Sequence, residues 1–284
     1  MESKENIKFE TVIRPKNKWF DLRLGEVIKY RDLVYVFVKR NFSTLYKQTI
    51  LGPAWIVITE IITTVIYTII FGNIANIGTN GVPTFLFYLS GNTVWGFFSK
   101  CFINTSTTFT SNAAIFGKVY FPRLVMPISV ALTQLITFAI QFTLFLCFLV
   151  FYVFKGSVSP NYALMPLFFL LVIIMTVMSL GFGIIISSLT TKYRDLTVMI
   201  SFGITVWMYI TPIVYPISIV PDRWRLIFML NPMSSIVEAF RYLFLGVGEL
   251  KAGYLIYSSA IAVFAFLFGT ILFNRIEKTF MDTV

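Results

Sequence analysis

Residues 126–153 read MPISVALTQLITFAIQFTLFLCFLVFYV, a stretch of 28 residues without a charged side chain. About 20 consecutive apolar residues are enough for a helix to cross the hydrocarbon core of a bilayer, because each residue adds about 1.5 Å. Five further apolar stretches lie near 51–71, 84–103, 162–189, 196–219 and 254–273. We therefore expect an all-α, polytopic membrane protein with six transmembrane helices.

The composition agrees with a membrane protein. Hydrophobic residues make up 57% of the 284 residues and charged residues 13%, whereas soluble domains carry about 25% charged residues. Histidine is absent, which excludes a Ser-His-Asp triad and histidine metal ligands. Cys101 and Cys147 lie in apolar stretches without a CxxC spacing, so we interpret them as packing residues and expect no metal site.

The sequence contains no GxxxxGK[ST] loop, the phosphate-binding turn of nucleotide hydrolases. We expect no catalytic residue and no cofactor in this chain, so another chain or an ion gradient must supply any energy. A membrane glycosyltransferase or acyltransferase is the less favoured alternative, with Asp32, Glu60 and Asp195 as its candidate acids. A single intramembrane acid and no repeat argue against an ion channel or an ion-driven carrier.

Basic residues indicate the orientation. The first 50 residues hold 11 Lys and Arg, whereas the loop 72–83 holds none. The positive-inside rule then places residues 1–50, 104–125 and 190–195 in the cytoplasm, and an even number of spans places both termini there. Four basic residues in 220–253 would lie on the outer side of the membrane and argue against this orientation, although long segments follow the positive-inside rule poorly.

Residues 24–42 carry apolar side chains at helical spacing, with charged side chains mostly on the opposite side. We divide the chain into a cytoplasmic N-terminal segment, 1–48, and a six-span domain, 49–284. A helix that lies in the cytoplasmic interface fits 24–42; a packed helix of a small N-terminal domain is the alternative. Residues 220–250 predict two short helices, broken at Asn231-Pro232, that dip into the outer leaflet.

Two features within the apolar stretches are candidates for a transport path. Glu60 lies inside the first stretch, where an ionisable group requires a partner. It predicts a polar pathway or gate, a structural pair with Lys100, or a hydrogen bond to a neighbouring helix. Aromatic side chains in the middle of the stretches suit a conduit for sugars, because their faces stack on sugar rings; lipid-facing packing is the alternative for each. The predicted conduit residues are Glu60, Tyr67, Trp95, Phe98, Trp207 and Tyr209.

Several stretches resemble a known family. They are Arg31-Asp-Leu-Val-Tyr-Val-Phe-Val-Lys-Arg40, Tyr46-Lys-Gln-Thr-Ile-Leu-Gly-Pro-Ala-Trp55, Gly117-Lys-Val-Tyr-Phe-Pro-Arg123, Tyr193-Arg-Asp-Leu196, Tyr209-Ile-Thr-Pro-Ile-Val-Tyr-Pro216 and Asn231-Pro-Met233. In this order and spacing they resemble the membrane subunit of polysaccharide ABC exporters of the type-two export class. That class includes the O-antigen, capsule and teichoic acid permeases.

The resemblance implies a homodimer that pairs with two copies of a separate ATPase, which binds the ATP and Mg. It implies a multi-pass protein of the bacterial inner membrane with both termini in the cytoplasm. The substrate would be a glycan on an undecaprenyl diphosphate lipid, moved from the cytoplasmic to the outer face. Teichoic acid, a drug or a small lipid remains an alternative cargo, and nucleic acid is not expected as a partner.

The resemblance also implies roles for particular residues. A cytoplasmic segment, 112–123, would dock in the ATPase, although a plain connector fits its composition equally well. Its candidate residues are Asn112, Phe116, Gly117, Lys118, Tyr120, Phe121, Pro122 and Arg123. The outer gate would include Trp224, Asn231, Pro232, Glu238 and Arg241. Lys39, Arg40 and Lys47 would meet the lipid diphosphate; positive-inside anchoring is the alternative for these three.

Overall fold

The computed structural model describes residues 24–47, 49–116, 121–190 and 195–277, and all their regular structure is helical. The predicted all-α class is therefore confirmed. In chain order the helices are α1 Leu24–Lys29, α2 Arg31–Tyr46, α3 Ala54–Tyr67, α4 Thr84–Ser106, α5 Thr108–Ser111, α6 Ala113–Phe116, α7 Val125–Phe154, α8 Leu167–Thr190, α9 Leu196–Ile210, α10 Asp222–Leu230, α11 Pro232–Leu245 and α12 Ala252–Glu277.

Four segments of the described chain are long and apolar enough to cross a membrane. They are Ala54–Ile74, Val125–Phe154, Leu167–Thr190 and Ala252–Phe273. The first consists of α3 and a π-helical continuation, Thr68–Ile74. Helix α4 has 23 residues but is less apolar, because it carries polar side chains such as Ser90, Thr93 and Lys100.

Helix α9 is shorter than the predicted span 196–219. It ends at Ile210 after 15 residues, a length of about 22 Å. The following Thr211 is extended, with φ −90° and ψ 137°, because Pro212 disfavours helical backbone in the residue before it. The prediction of a helix through residue 219 was therefore wrong: the chain leaves the helix and continues through an irregular segment, 211–216.

Helix α4 lies at the centre of the molecule and packs on α3, α7, α8 and α11. Helices α8 and α12 form the most extensive pair, and their backbones approach closely at Gly181 and Gly269. A Cβ on Gly269 would stand 2.8 Å from the carbonyl oxygen of Gly181, so only glycine fits this crossing. By contrast, α3 and α9 lie at the periphery, and Ile204 is the one buried residue of α9.

The predicted helix over 24–42 is present in two pieces, α1 and α2, and extends to Tyr46. Helix α2 packs on α7, and its buried residues are Val34 and Phe37. The predicted break between the two short helices α10 and α11 is confirmed at Asn231. Asn231 caps α11 by accepting a hydrogen bond from Met233 N at 3.1 Å, and Pro232 occupies the first turn, where its missing N–H is tolerated.

Candidate functional site

Glu60 is the acceptor of a buried polar cluster that joins three helices. Its carboxylate on α3 accepts hydrogen bonds from Asn92 Nδ2 at 3.0 Å and Thr93 Oγ1 at 3.2 Å, both on α4. Gln141 Nε2 on α7 donates to the second oxygen at 2.6 Å. The Glu60 side chain is 4% exposed. An ionised carboxylate accepts several hydrogen bonds and donates none, so this arrangement satisfies it without a cation.

The predicted hydrogen bond from Glu60 to a neighbouring helix is therefore confirmed, whereas the alternative of a direct pair with Lys100 is wrong. Lys100 is exposed on α4, and no ion pair within 4.0 Å joins it to Glu60 among the described residues. Amides and a hydroxyl take the place of the expected ammonium group. Glu60 lies in the interior of the chain, where it fixes α3 against α4 and α7.

A polar stripe on α7 leads toward this cluster. Ser129, Thr133, Thr137 and Gln141 recur every four residues and are all buried. Residues four apart lie on one face of a helix, so α7 has a polar inner face although its sequence is apolar on average. Gln141, Asn92 and Thr93 were not predicted from the sequence. The four-residue spacing was the signal that could have found the stripe and Gln141.

The predicted aromatic residues occupy different positions. Trp95 and Phe98 of α4 are buried, and their rings contact the ring of Trp207 from α9 at centroid distances of 6.2 and 5.2 Å. Tyr67 is half-buried and donates to Met208 Sδ at 3.5 Å. Tyr209 is 54% exposed on the outer surface of α9. The structure thus brings Tyr67, Trp95, Phe98 and Trp207 to the contact between α9 and the rest of the chain and leaves Tyr209 on the exposed face of α9.

Asn231 connects the end of α9 to α11. Its Oδ1 accepts from Trp207 Nε1 at 2.9 Å, and its Nδ2 donates to Thr211 Oγ1 at 2.8 Å. The same Oδ1 caps α11. One buried amide therefore fixes the position of α9 relative to α11. Trp224 lies apart from this group and is exposed on α10.

Arg241 holds the irregular segment that follows α9. Its side chain is 1% exposed. Nη1 donates to the carbonyl of Pro212 at 2.5 Å, and Nη2 donates to that of Ile213 at 2.6 Å. Glu238, one turn earlier on α11, lies 3.6 Å away and supplies the countercharge. The guanidinium also stands 3.7 Å over the ring of Phe87, a favourable cation–π geometry.

The predicted diphosphate and ATPase-docking residues meet at the end of α2. Arg40 Nη2 donates to Asn112 Oδ1 at 3.1 Å, across 72 residues of sequence. The same nitrogen donates to Asn41 Oδ1 at 2.9 Å. Lys39 and Lys47 are exposed. Among the described residues, Arg40 is thus the basic residue of the three that contacts the segment 112–123.

The described part of that segment is anchored by aromatic packing. Phe116 and Phe121 are buried with ring centroids 5.6 Å apart, and Phe37 of α2 lies 5.6 Å from Phe121. Arg123 lies over the ring of Phe116 at 5.7 Å, and Pro122 is buried. These side chains attach the segment to α2. Gly117, Lys118 and Tyr120 lie outside the described residues.

A cavity of about 410 Å³ opens beside the Arg40–Asn112 contact. It lies between α2, the α4–α6 region and α7. One cation, three apolar side chains and nine neutral polar side chains line it. Among them is Gln134, which is 7% exposed. The described residues contain no group of His, Cys, Asp and Glu side chains that could hold a metal ion.

Comparison with known proteins agrees with this architecture. The family described as "ABC-2 type transporter" matches residues 32–245, from α2 to the end of α11. The chain belongs to the ABC-2 type transporter family. The matched range includes the Glu60 cluster, the Arg40–Asn112 contact and the Arg241 anchor. As a transmembrane ABC-2 permease subunit, the chain belongs to a family whose members generally act with an ABC ATPase.

Relatives of this ABC-2 permease carry a more specific name. The chain is 27% identical over 252 residues to an O-antigen export system permease protein RfbA of Klebsiella pneumoniae, and the match covers 88% of this chain and 94% of that protein. A protein of the same name from Myxococcus xanthus is 27% identical over 221 residues, covering 77% and 82% of the two chains. The predicted resemblance to exporter permeases is therefore confirmed at the level of the family.

Proposed function

We propose that this chain is the transmembrane subunit of an ATP-driven exporter that moves a lipid-linked polysaccharide across the bacterial inner membrane. The glycan would be carried on undecaprenyl diphosphate and pass from the cytoplasmic to the outer face. Two copies of the chain would form the conduit and bind two copies of an ATPase. Both termini would lie in the cytoplasm, with α1 and α2 in the inner interface and α10 and α11 in the outer leaflet.

The observation that carries this proposal is the open surface of α3 and α9. Both helices are apolar, yet each packs on the protomer along a narrow strip. Ile62 and Ile66 of α3 are exposed, as are Phe202, Val206 and Tyr209 of α9. Two peripheral apolar helices of this kind suit a second copy, which would leave a path between them. The names of the relatives supply the cargo class.

The position of the segment 112–123 supports the ATPase partner. Its described residues lie beside the end of α2, at the end of the molecule that the distribution of basic residues assigns to the cytoplasm. A push on this segment would reach α2 through the Phe37–Phe121 contact and α4 through α5. Movement would then reach the strip where α4 packs on α9.

Purification of the tagged chain from its native membranes in mild detergent tests the proposal. We expect an ABC ATPase at a ratio of one to one, and the complex in liposomes should use ATP to move a lipid-linked glycan to a compartment where a lectin detects it. Absence of an ATPase, under conditions that preserve other membrane complexes, would contradict the exporter assignment. Transport of a teichoic acid or small lipid in place of the glycan would correct the cargo.

A further inference from the structure

The cavity beside Arg40 has the properties of an anion site. Arg40 carries a positive charge, and no carboxylate lies within 4.0 Å of it among the residues the structure describes. Partial burial lowers the pKa of its guanidinium from the ordinary value, through desolvation of the charged form. Arginine nevertheless stays protonated in proteins. The cation is therefore partly removed from water without a countercharge.

The donors of Arg40 are incompletely used. Nε and Nη2 donate to the neutral amide oxygens of Asn41 and Asn112. Within the described chain, Nη1 makes no hydrogen bond. Guanidinium bonds to a phosphate are roughly twice as strong as bonds to neutral acceptors and are often bidentate. A phosphate that enters the cavity would therefore compete with Asn112 for this side chain.

Gln134 supplies a second, independent observation. Its side chain on α7 is more than nine-tenths buried and lines the cavity, yet it makes no hydrogen bond to any described residue. Neither amide atom of Gln134 is among the fully buried polar atoms without a partner in the described chain, so the amide is accessible from the cavity and can bond to a ligand there. The cavity volume of about 410 Å³ falls within the range of ligand sites. Its neutral polar walls match a head group that is charged at one point and hydroxylated elsewhere.

We propose that this cavity binds a phosphate group of an anionic lipid head, with Arg40 and Gln134 as donors, and that binding draws Arg40 away from Asn112. The ligand class is a phosphate ester or diphosphate at the inner membrane surface. The identification of that lipid with the exported lipid-linked glycan rests on the proposed function, whereas the site does not. Occupancy would loosen the contact between α2 and the segment 112–123, so that the ATPase-docking segment responds to the ligand.

The test uses the purified full-length chain, together with any ATPase that copurifies. Native mass spectrometry measures the binding of phosphatidylglycerol, of undecaprenyl diphosphate-linked glycan and of phosphatidylcholine as the net-neutral control. Inorganic pyrophosphate serves as a soluble competitor. We expect both anionic lipids to bind more tightly than phosphatidylcholine and pyrophosphate to displace them.

Three variants and one control locate the site. Arg40→Gln and Gln134→Leu should each weaken binding of the anionic lipids roughly tenfold, because each removes a hydrogen bond to a charged group. Gln134→Leu keeps the side-chain volume and the net charge. A loss of binding in this variant therefore indicates a specific hydrogen bond in the cavity and not the general electrostatic attraction of anionic lipids to a basic protein. Asn112→Leu should instead strengthen binding a few-fold, because the phosphate no longer has to displace Asn112. Arg31→Gln is the matched control for a lost charge on the exposed surface of α2, and should change binding less than about twofold.

The outcomes separate the two proposals. Unchanged binding in Gln134→Leu, or an equal loss in Arg31→Gln, would overturn the cavity as a phosphate site. If the binding of phosphatidylglycerol depends on Arg40 and Gln134 but the lipid-linked glycan does not bind, the proposed phosphate site stands and the proposed cargo is wrong. If the Arg40→Gln and Gln134→Leu variants bind the anionic lipids and transport the glycan as well as the parent does, the proposed exporter function stands and the proposed phosphate site is wrong.

Discussion

Gln141 Nε2 donates a hydrogen bond of 2.6 Å to Glu60 Oε2 and thereby ties α7 to α3 in the interior of the molecule. The other end of this amide, Gln141 Oε1, is buried and has no hydrogen-bond partner in the described part of the chain. A half-turn of the amide would exchange its donor and its acceptor. The pair can therefore accommodate an amide at position 60, whereas a carboxylate at position 141 would face a second negative charge.

Because positions 60 and 141 differ in whether they tolerate the other's side chain, the result of exchanging the two residues can be predicted. Glu60→Gln should keep stability close to that of the parent, because Gln141 can turn and accept. Gln141→Glu should destabilise the protein by several kcal/mol, since two carboxylates would meet in a dry site. Glu60→Gln combined with Gln141→Glu should restore stability, which thermal unfolding in detergent would measure. A double variant no more stable than Gln141→Glu alone would contradict the pairing, and Glu60→Ala provides the fully disrupted reference.

Removal of Arg241 should free the irregular segment after α9. Arg241→Met leaves Glu238 buried without its countercharge and should cost about 3–5 kcal/mol. Changing Glu238→Leu in the same protein should recover most of that loss, because an apolar pair of similar volume often replaces a buried ion pair. The carbonyls of Pro212 and Ile213 would still lack their donors. We therefore expect the double variant to fold but to export poorly; full export would show that the anchor is dispensable.

Glycine substitutions distinguish the tight crossing of α8 and α12 from open positions. A methyl group on Gly181 would collide with the backbone of Ala265 and Phe266. Gly181→Ala should therefore lower the unfolding temperature of the purified protein strongly. Gly253→Ala, at the start of α12, meets nothing within 4 Å and is the matched control, expected to be neutral or slightly stabilising. Equal effects of the two changes would refute the close approach.

The proposed second copy predicts a specific disulfide pattern. In a protein without Cys101 and Cys147, Phe202→Cys on α9 should form cross-linked dimers in native membranes upon mild oxidation. Phe264→Cys on α12 is the control, because the two side chains are similarly exposed, at 72% and 69%. Only the α9 position should cross-link if α9 faces the partner. Cross-linking at position 264 but not at position 202 would place the dimer interface on α12 and contradict an interface on α9.

The helices themselves were largely predictable from the sequence. Long uncharged stretches determined α7, α8 and α12, and Asn231-Pro232 correctly predicted the break between α10 and α11. Helix α9 was predicted too long because residues 211–219 carry no charged side chain and still contain four apolar Ile and Val residues. The signal that ends α9 is Pro212, and hydropathy alone does not register it.

The buried contacts were less predictable from the sequence. Depth in the bilayer predicted that Glu60 needed a partner, either Lys100 or a hydrogen bond to a neighbouring helix, but it did not identify Asn92, Thr93 and Gln141 as the donors. The connection of Arg40 to Asn112 spans 72 residues, and no local pattern contains that information. Gln141 was overlooked because one amide hardly changes the mean hydropathy of a long helix.

The length of α9 has a consequence for the surrounding membrane. A helix of about 22 Å is shorter than the roughly 30 Å of hydrocarbon in a typical bilayer. Lipid beside a short hydrophobic surface thins to match it, at a fraction of a kcal/mol per Å. In the proposed exporter, the polar backbone of residues 211–216, held by Arg241, would occupy the remaining depth of the bilayer. An amphiphile beside this edge would then cross a thinner layer of hydrocarbon than elsewhere around the protein, which would lower the work of moving its polar head from one leaflet to the other.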